Sequence, residues 1–151
     1  MIQQASHFCN YAFAEVRNKL KIGVKAHLTK TISKKDIELF SEITGDRQAL
    51  HYDENIAKRL EYKAPIAQGG VITGVFNAIV AHQLPGEGSV FLNVNWNFRN
   101  AVCIGDVITG EVEVLSVRED KPITQLKTTI TNQDGITCVD GTALVYKRDL
   151  S

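Results

Sequence analysis

An uninterrupted apolar run in the middle of the chain constrains the fold more than any other feature. From Gly69 to Leu84 the sequence places apolar residues on nearly every side, which predicts a helix that is buried all round. Gly69 and Gly70 begin the run, and Pro85-Gly86 ends it. At the rise of an α-helix, about 16 residues span about 24 Å, enough to cross a small domain. The remaining elements must therefore cover this helix.

Only strand patterns follow the apolar run. Residues 90–98 alternate with a period of two, which is typical of a β-strand: Val90, Leu92, Val94, Trp96 and Phe98 alternate with Phe91, Asn93, Asn95 and Asn97. Further strands are predicted over residues 106–117, 123–131 and 136–147, joined by turns at 118–122 and 132–135. Hairpin-linked strands form an antiparallel sheet. The sequence thus predicts an α+β fold in which the sheet wraps around one buried helix.

Before the run, the chain alternates helical and extended patterns. Residues 5–20 carry apolar side chains at helical spacing, which predicts an N-terminal helical extension over residues 1–21. Residues 24–32 predict a strand. We expect residues 22–151 to form a single domain, since no linker or repeat divides them.

Two short helices are predicted between this strand and the apolar run. Ser33 and Asp36 resemble a capping box at the start of the first, and Gly45 is a suitable residue to end it. We expect its core face to consist of Ile37, Phe40 and Ile43. Asp53 predicts the N-cap of the second helix, with an inner face of Ile56, Ala57 and Leu60.

Composition excludes several classes of function. Lys+Arg and Asp+Glu both number 17, so the zero net charge argues against a nucleic-acid binder. No apolar run reaches the roughly 20 residues that span a bilayer. Cys9, Cys103 and Cys138 lack the spacing of metal ligands, so we expect no metal site and free thiols in a reducing cytoplasm.

A carboxylate and an imidazole lie close together in the segment Gly45-Asp46-Arg47-Gln48-Ala49-Leu50-His51. Asp46 and His51 are residue types that exchange protons with a bound water, and the Gly69 N–H at a helix start can donate to an oxyanion. Each has a structural alternative. Asp46 after Gly45 is commonly a turn residue, His51 a hydrogen-bonded structural histidine, and Gly69 a point of close packing.

The chain resembles the MaoC-like, R-specific enoyl-CoA hydratases, which have the hot-dog fold. Their signature is a G/E-D-x-N-P-x-H-x-D segment followed by an I-x-H-G-x-L helix start. Here these segments are Gly45 to Asp53 and Ile66 to Val71. Residues 83–89 and 117–123 are similar to the short bacterial hydratases that supply polyester monomers, and the resemblance extends from about Ile22 to Lys147.

The resemblance implies the roles of particular residues. Asp46 and His51 correspond to the catalytic pair, the Gly69 N–H to the donor for the thioester carbonyl, and Asn77 to a supporting position. Gln48 replaces the motif asparagine, Ala49 its proline and Gln68 its histidine; Gln48 and Gln68 are further candidates for supporting the site. The implied activity is reversible hydration of trans-2-enoyl-CoA, with an acyl-CoA substrate, no cofactor and a homodimeric, cytoplasmic enzyme.

Two other functions fit the same fold. An acyl-CoA thioesterase would use Asp46 to direct water at the thioester carbonyl rather than at C3. A non-catalytic acyl-CoA-binding protein is suggested by the replacements at Gln48, Ala49 and Gln68. The first predicts release of free CoA, and the second predicts binding without turnover.

Overall fold

A computed structural model describes residues 20–150 of the chain. Its strands are β1 (Lys25–Thr31), β2 (Ser89–Phe98), β3 (Val107–Val117), β4 (Ile123–Thr131) and β5 (Thr137–Lys147). Its helices are α1 (Lys34–Thr44), a 3₁₀ helix (Ala49–His51), α2 (Glu54–Arg59) and α3 (Gly69–His82). The predicted N-terminal helical extension lies outside the described residues except for Leu20 and Lys21.

One antiparallel sheet contains all five strands, in the order β1-β3-β4-β5-β2. Helix α3 packs against its inner face, where the rings of Phe76 and Trp96 lie 5.3 Å apart. At Gly110 of β3 the helix approaches so closely that a Cβ would lie 2.6 Å from the side chain of Val75. The expected α+β hot-dog arrangement, a sheet wrapped around one long helix, is therefore confirmed.

The capping box of α1 is also confirmed, but one residue of its predicted core face is exposed. The Asp36 N–H donates to Ser33 Oγ, and the Ser33 N–H donates to Asp36 Oδ2 at 2.8 Å. Ile37 is buried, whereas Ile43 is 82% exposed and Ser41 lies inside instead. At about 100° per residue, Ser41 is turned about 40° from Ile37 and Ile43 about 120°. Apolar residues spaced three apart therefore do not stay on one face of a helix, and the third of them, Ile43, has turned away from the core.

Asp53 caps α2 as predicted, because its Oδ1 accepts from the N–H groups of Asn55 and Ile56 at 2.7 and 3.2 Å. Ala57 is buried, but Leu60 is 53% exposed. Leu60 is the C-cap residue of this short helix, where the chain already turns away. Its assignment to the inner face was wrong.

Helix α3 is not buried on every side in the single chain. Ile72, Val75, Phe76, Ile79 and Val80 are buried in the core, whereas Gly70 and Asn77 are exposed. Gly70 and Asn77 lie seven residues, or about two helical turns, apart and so share one face, and His82 at the end of the helix is exposed as well. Within residues 20–150, no helix has the length and apolarity that crossing a membrane requires.

Strand β2 breaks the simple alternation that its sequence predicts. A β-bulge shifts its register against β5 between Phe91 and Asn93. Phe91 and Trp96 consequently both pack against the core, with their rings 6.0 Å apart, although they have opposite parity in the sequence. Val90 and Leu92 are exposed on this edge strand.

Candidate functional site

The loop that carries Asp46 is held to the end of α1. Gly45 adopts the left-handed conformation with φ 79°, and its N–H donates to the Ser41 carbonyl at 2.8 Å. The Asp46 N–H donates to Thr44 Oγ1 at 3.2 Å, and the Asp46 carbonyl accepts from Ser41 Oγ at 2.7 Å. The carboxylate itself is 36% exposed. Its backbone is thus fixed while its reactive end stays open to solvent.

His51 ends the 3₁₀ helix, and its side chain is only 5% exposed. Its Nδ1 lies 2.7 Å from the Ile66 carbonyl, which can only accept, so Nδ1 carries a hydrogen. The other ring nitrogen, Nε2, lies 3.4 Å from Asp46 Oδ2 and has no hydrogen-bond partner within the described chain. The free nitrogen therefore faces the carboxylate.

The start of α3 lies on the same segment that holds the His51 ring. Ile66 precedes Gln68, the N-cap residue of α3, and Gln68 provides no side-chain cap. The first N–H groups of a helix have no acceptor within it, so the Gly69 N–H is oriented outward at the positive end of the helix dipole. A Cβ at Gly69 would lie 2.9 Å from the Phe98 ring. The glycine at this position therefore makes room for the Phe98 ring.

The structure places the predicted site residues unequally. Asp46 and His51 face each other across 3.4 Å, and buried Gln68 donates from Nε2 to Ser41 Oγ at 3.0 Å. Gln48 is exposed and contributes its backbone, since its N–H lies 3.4 Å from Asp46 Oδ1. Asn77 is exposed on α3 and makes no hydrogen bond to Asp46 or His51 among residues 20–150. Its supporting role remains a prediction.

Sequence reasoning missed three groups that contact this site. The Ile66 carbonyl orients His51, and Ser41 and Tyr52 form a hydrogen bond of 2.5 Å beside the Asp46 loop. Ser41 could have been found from its spacing, because it lies four positions after Ile37 and so on the inner side of α1. The Ile66 contact has no comparable signal because any residue supplies a carbonyl.

A cavity of about 520 Å³ adjoins the site on the α1 side. Its walls include His51, Tyr52, Ile37, Pro65 and Ile104. The volume is within the range of small-molecule sites. Residues 20–150 contain no group of three or more His, Cys, Asp or Glu side chains arranged to hold a metal ion.

A second carboxylate, Asp106, lies outside the site and is saturated with donors. It is 3% exposed, and it forms an ion pair with Lys63. Its Oδ1 also accepts from Gln133 Nε2 at 2.7 Å, and its Oδ2 from the Cys103 N–H at 2.8 Å. Burial alone would raise the pKa of Asp106, but the bonds from Lys63, Cys103 and Gln133 outweigh it and hold the pKa below its ordinary value.

Known proteins are similar to this chain in both fold and sequence. The MaoC-like domain matches residues 15–135. The chain is 37% identical over 126 residues to the (R)-specific enoyl-CoA hydratase of Aeromonas caviae, covering 83% of this chain and 94% of that protein. It is 36% identical over 126 residues to a 3-hydroxybutyryl-CoA dehydratase of Methylorubrum extorquens, covering 83% and 80%.

Solved structures agree with these relatives. The (R)-hydratase of Aeromonas caviae superposes with a TM-score of 0.82 at 36% identity, over 85% of this chain and 98% of that one. An unliganded R-hydratase of Pseudomonas aeruginosa gives a TM-score of 0.81 at 33% identity, over 91% and 85%. Because the family match spans most of the chain and includes Asp46, His51 and Gly69, this protein belongs to the MaoC-like domain family.

Proposed function

We propose that the protein is an R-specific enoyl-CoA hydratase, a hydro-lyase that adds water reversibly to trans-2-enoyl-CoA to give (R)-3-hydroxyacyl-CoA. The observation that carries the proposal is the facing pair of Asp46 Oδ2 and His51 Nε2 at 3.4 Å, in a chain that is 37% identical to an (R)-specific enoyl-CoA hydratase. An open carboxylate beside a free imidazole nitrogen can bind one water from two sides.

In the proposed hydration, Asp46 acts as the base on water. Its carboxylate takes one proton from the water as the oxygen attacks C3 of the enoyl group. The His51 imidazolium gives the Nε2 proton to C2, so that water adds across the double bond. Asp46 then passes its proton to Nε2 across the gap between them, which restores both groups. Dehydration follows the same steps in reverse.

The hydrogen bond to Ile66 supports Nε2 as the nitrogen that transfers the proton. Nδ1 keeps its hydrogen on the Ile66 carbonyl throughout, so Nε2 is the only ring nitrogen that changes state. Donation to C2 therefore requires the doubly protonated ring, with the Asp46 carboxylate as its counter-ion. The buried ring is held in one orientation, which favours a single direction of proton delivery.

We propose that the Gly69 N–H stabilises the negative charge that develops on the thioester oxygen. A backbone donor at a helix N-terminus acts there without reorganisation and is worth roughly 2.7–4 kcal/mol in other enzymes. Asn77 on α3 is the proposed supporting residue. This chemistry requires no metal or organic cofactor beyond the CoA of the substrate.

We further propose a homodimer formed through the edge strand β2. In the described chain β2 pairs with β5 on one side only, and Val90, Leu92, Val94 and Phe98 are 42–58% exposed. An open edge with apolar side chains favours pairing with a second copy. Light scattering on the wild type and on Leu92→Lys tests this: a dimer that the substitution leaves intact contradicts the use of β2.

We also propose that the enzyme works in the cytoplasm. Cys103 and Cys138 are buried and free, as expected in a reducing compartment. Detection of the protein in the soluble fraction of disrupted cells tests this location. Recovery from an oxidising compartment would contradict it.

Crotonyl-CoA tests the proposed activity directly. Loss of enoyl absorbance with no release of free thiol, and formation of the (R)-3-hydroxy product, is the expected result. Thiol release at the rate of enoyl loss would identify a thioesterase instead. Tight binding of crotonyl-CoA with no change in either signal would identify a non-catalytic binding protein.

A further inference from the structure

A buried hydroxyl lies where the separate segments of the proposed site meet. Ser41 is 1% exposed on the inner side of α1. Its Oγ donates to the Asp46 carbonyl at 2.7 Å and lies 2.5 Å from the Tyr52 hydroxyl. It also accepts from Gln68 Nε2 at 3.0 Å. The partners are the proposed base, the residue after His51 and the residue before Gly69.

These contacts use the full capacity of a serine hydroxyl. Its one hydrogen serves the Asp46 carbonyl, which can only accept, and its two lone pairs face the Gln68 amide and the Tyr52 hydroxyl. The single Tyr52 hydrogen is shared between Ser41 Oγ and Glu38 Oε2, which lies 3.2 Å away. The second hydrogen of the Gln68 amide lies on the Ile37 carbonyl at 3.4 Å, which orients that amide. Gln68 Oε1 has no partner among the described residues, so the amide is held through its two N–H donors. Such a buried arrangement is directional, because moving Ser41 would leave these donors unsatisfied as well.

The contact to Asp46 is made through its backbone rather than its carboxylate. Ser41 therefore fixes the position of the proposed base without occupying the oxygens that face His51 and solvent. The contact to Gln68 fixes the residue whose peptide bond carries the Gly69 N–H. The Ser41 side chain thus links the loop that carries Asp46 to the residue before the Gly69 N–H.

We propose that Ser41, acting with Gln68, is a positioning residue that sets the distance between the Asp46–His51 pair and the Gly69 N–H. The inference rests on the proposed hydratase function. Ser41 touches no reacting atom. Its effect comes from alignment in the transition state, where a displacement of about 1 Å can lower the rate about 100-fold.

Kinetics of Ser41→Ala with crotonyl-CoA tests the inference. We expect kcat to fall about 10- to 100-fold while KM stays within about 3-fold, because alignment rather than substrate binding is lost. Ser41→Thr, which keeps the hydroxyl, should recover most of the lost kcat. The control is Gln133→Ala, which removes hydrogen bonds to Asp106 and Val107 but none to the site, and should leave kcat within about 2-fold.

A double-mutant cycle separates positioning from general destabilisation. If Gln68 acts through Ser41, Gln68→Leu and Ser41→Ala should be non-additive, and the double variant should lose no more kcat than the worse single one. Three results would each overturn the inference. They are a double variant whose loss of kcat is the product of the two single losses, an unchanged kcat in Ser41→Ala, and a loss of kcat in Gln133→Ala as large as that in Ser41→Ala. Should Ser41→Ala not fold, Gln68→Leu and Tyr52→Phe, which each break one bond to Ser41, carry the same kinetic test.

The activity of the wild type distinguishes failure of the proposed hydratase function from failure of the proposed role of Ser41. A wild type that does not hydrate crotonyl-CoA overturns the proposed function and, with it, the role of Ser41. An active wild type whose Ser41→Ala variant is equally active overturns the role of Ser41 alone.

Discussion

Asp46 and Asp106 are two carboxylates of one chain with opposite surroundings. Asp106 is 3% exposed and is held by donors from Lys63, Gln133 and the Cys103 backbone. The side chain of Asp46 is 36% exposed and receives one long bond, from the Gln48 N–H at 3.4 Å, while its backbone carries the short contacts. A carboxylate whose oxygens are all engaged stabilises a fold, whereas one with free oxygens can accept a proton from a ligand.

The largest expected effect concerns Asp46→Asn. The amide keeps the shape of the side chain but cannot serve as a base, so hydration of crotonyl-CoA should fall about 10²- to 10⁴-fold. The free energy of unfolding should change by less than about 0.5 kcal/mol, because no short bond to the carboxylate is lost. Enoyl absorbance and urea denaturation measure the two quantities. Unchanged turnover would remove Asp46 from the role of base.

Asp106→Asn should show the reverse behaviour. The new amide group places a donor against Lys63, Gln133 or the Cys103 N–H, and one buried contact is lost. We expect the free energy of unfolding to fall by about 1–3 kcal/mol with turnover within about 3-fold of wild type. A variant as stable as the wild type in urea would show that the donors around Asp106 contribute little.

The dependence of the free energy of unfolding on pH tests the same contrast between Asp46 and Asp106. The pKa of folded Asp106 is lower than in the unfolded chain, so the folded state holds fewer protons and its stabilisation is complete only above the unfolded value, about 3.9. That contribution should be lost as pH falls through the lowered pKa. The stability difference between wild type and Asp106→Asn, measured by urea denaturation, should therefore shrink below about pH 4. A constant difference would exclude Asp106 as a source of acid sensitivity.

Lys63→Met should have the smallest effect. The Lys63 side chain is 59% exposed, so its ion pair with Asp106 is largely screened by solvent, and we expect a loss below about 1 kcal/mol. Urea denaturation at low and high salt measures it. A loss as large as that of Asp106→Asn would mean that Lys63, rather than the Gln133 and Cys103 contacts, carries the stability of the cluster.

Features that depend on neighbouring residues were predictable from the sequence. The Ser33–Asp36 capping box, the left-handed Gly45 and the Asp53 cap all form within a few residues, and the strands follow from alternation and turns. The position of Asp46 after the end of α1 belongs to the same group. Ile43 and Leu60 were assigned wrongly because a spacing of apolar residues does not reveal where a short helix leaves the core.

The local parts follow from the order of the residues: one long apolar helix, the strands around it, and an aspartate and a histidine five positions apart. How those parts act together depends on tertiary contacts. The tautomer of His51 depends on the Ile66 carbonyl, and the Asp46 loop and the start of α3 are joined through Ser41. Ser41 and Gln68 are separated by 27 positions, and Lys63 and Asp106 by 43. Hydrogen bonds over such separations depend on side-chain directions that packing sets, and no local propensity encodes them.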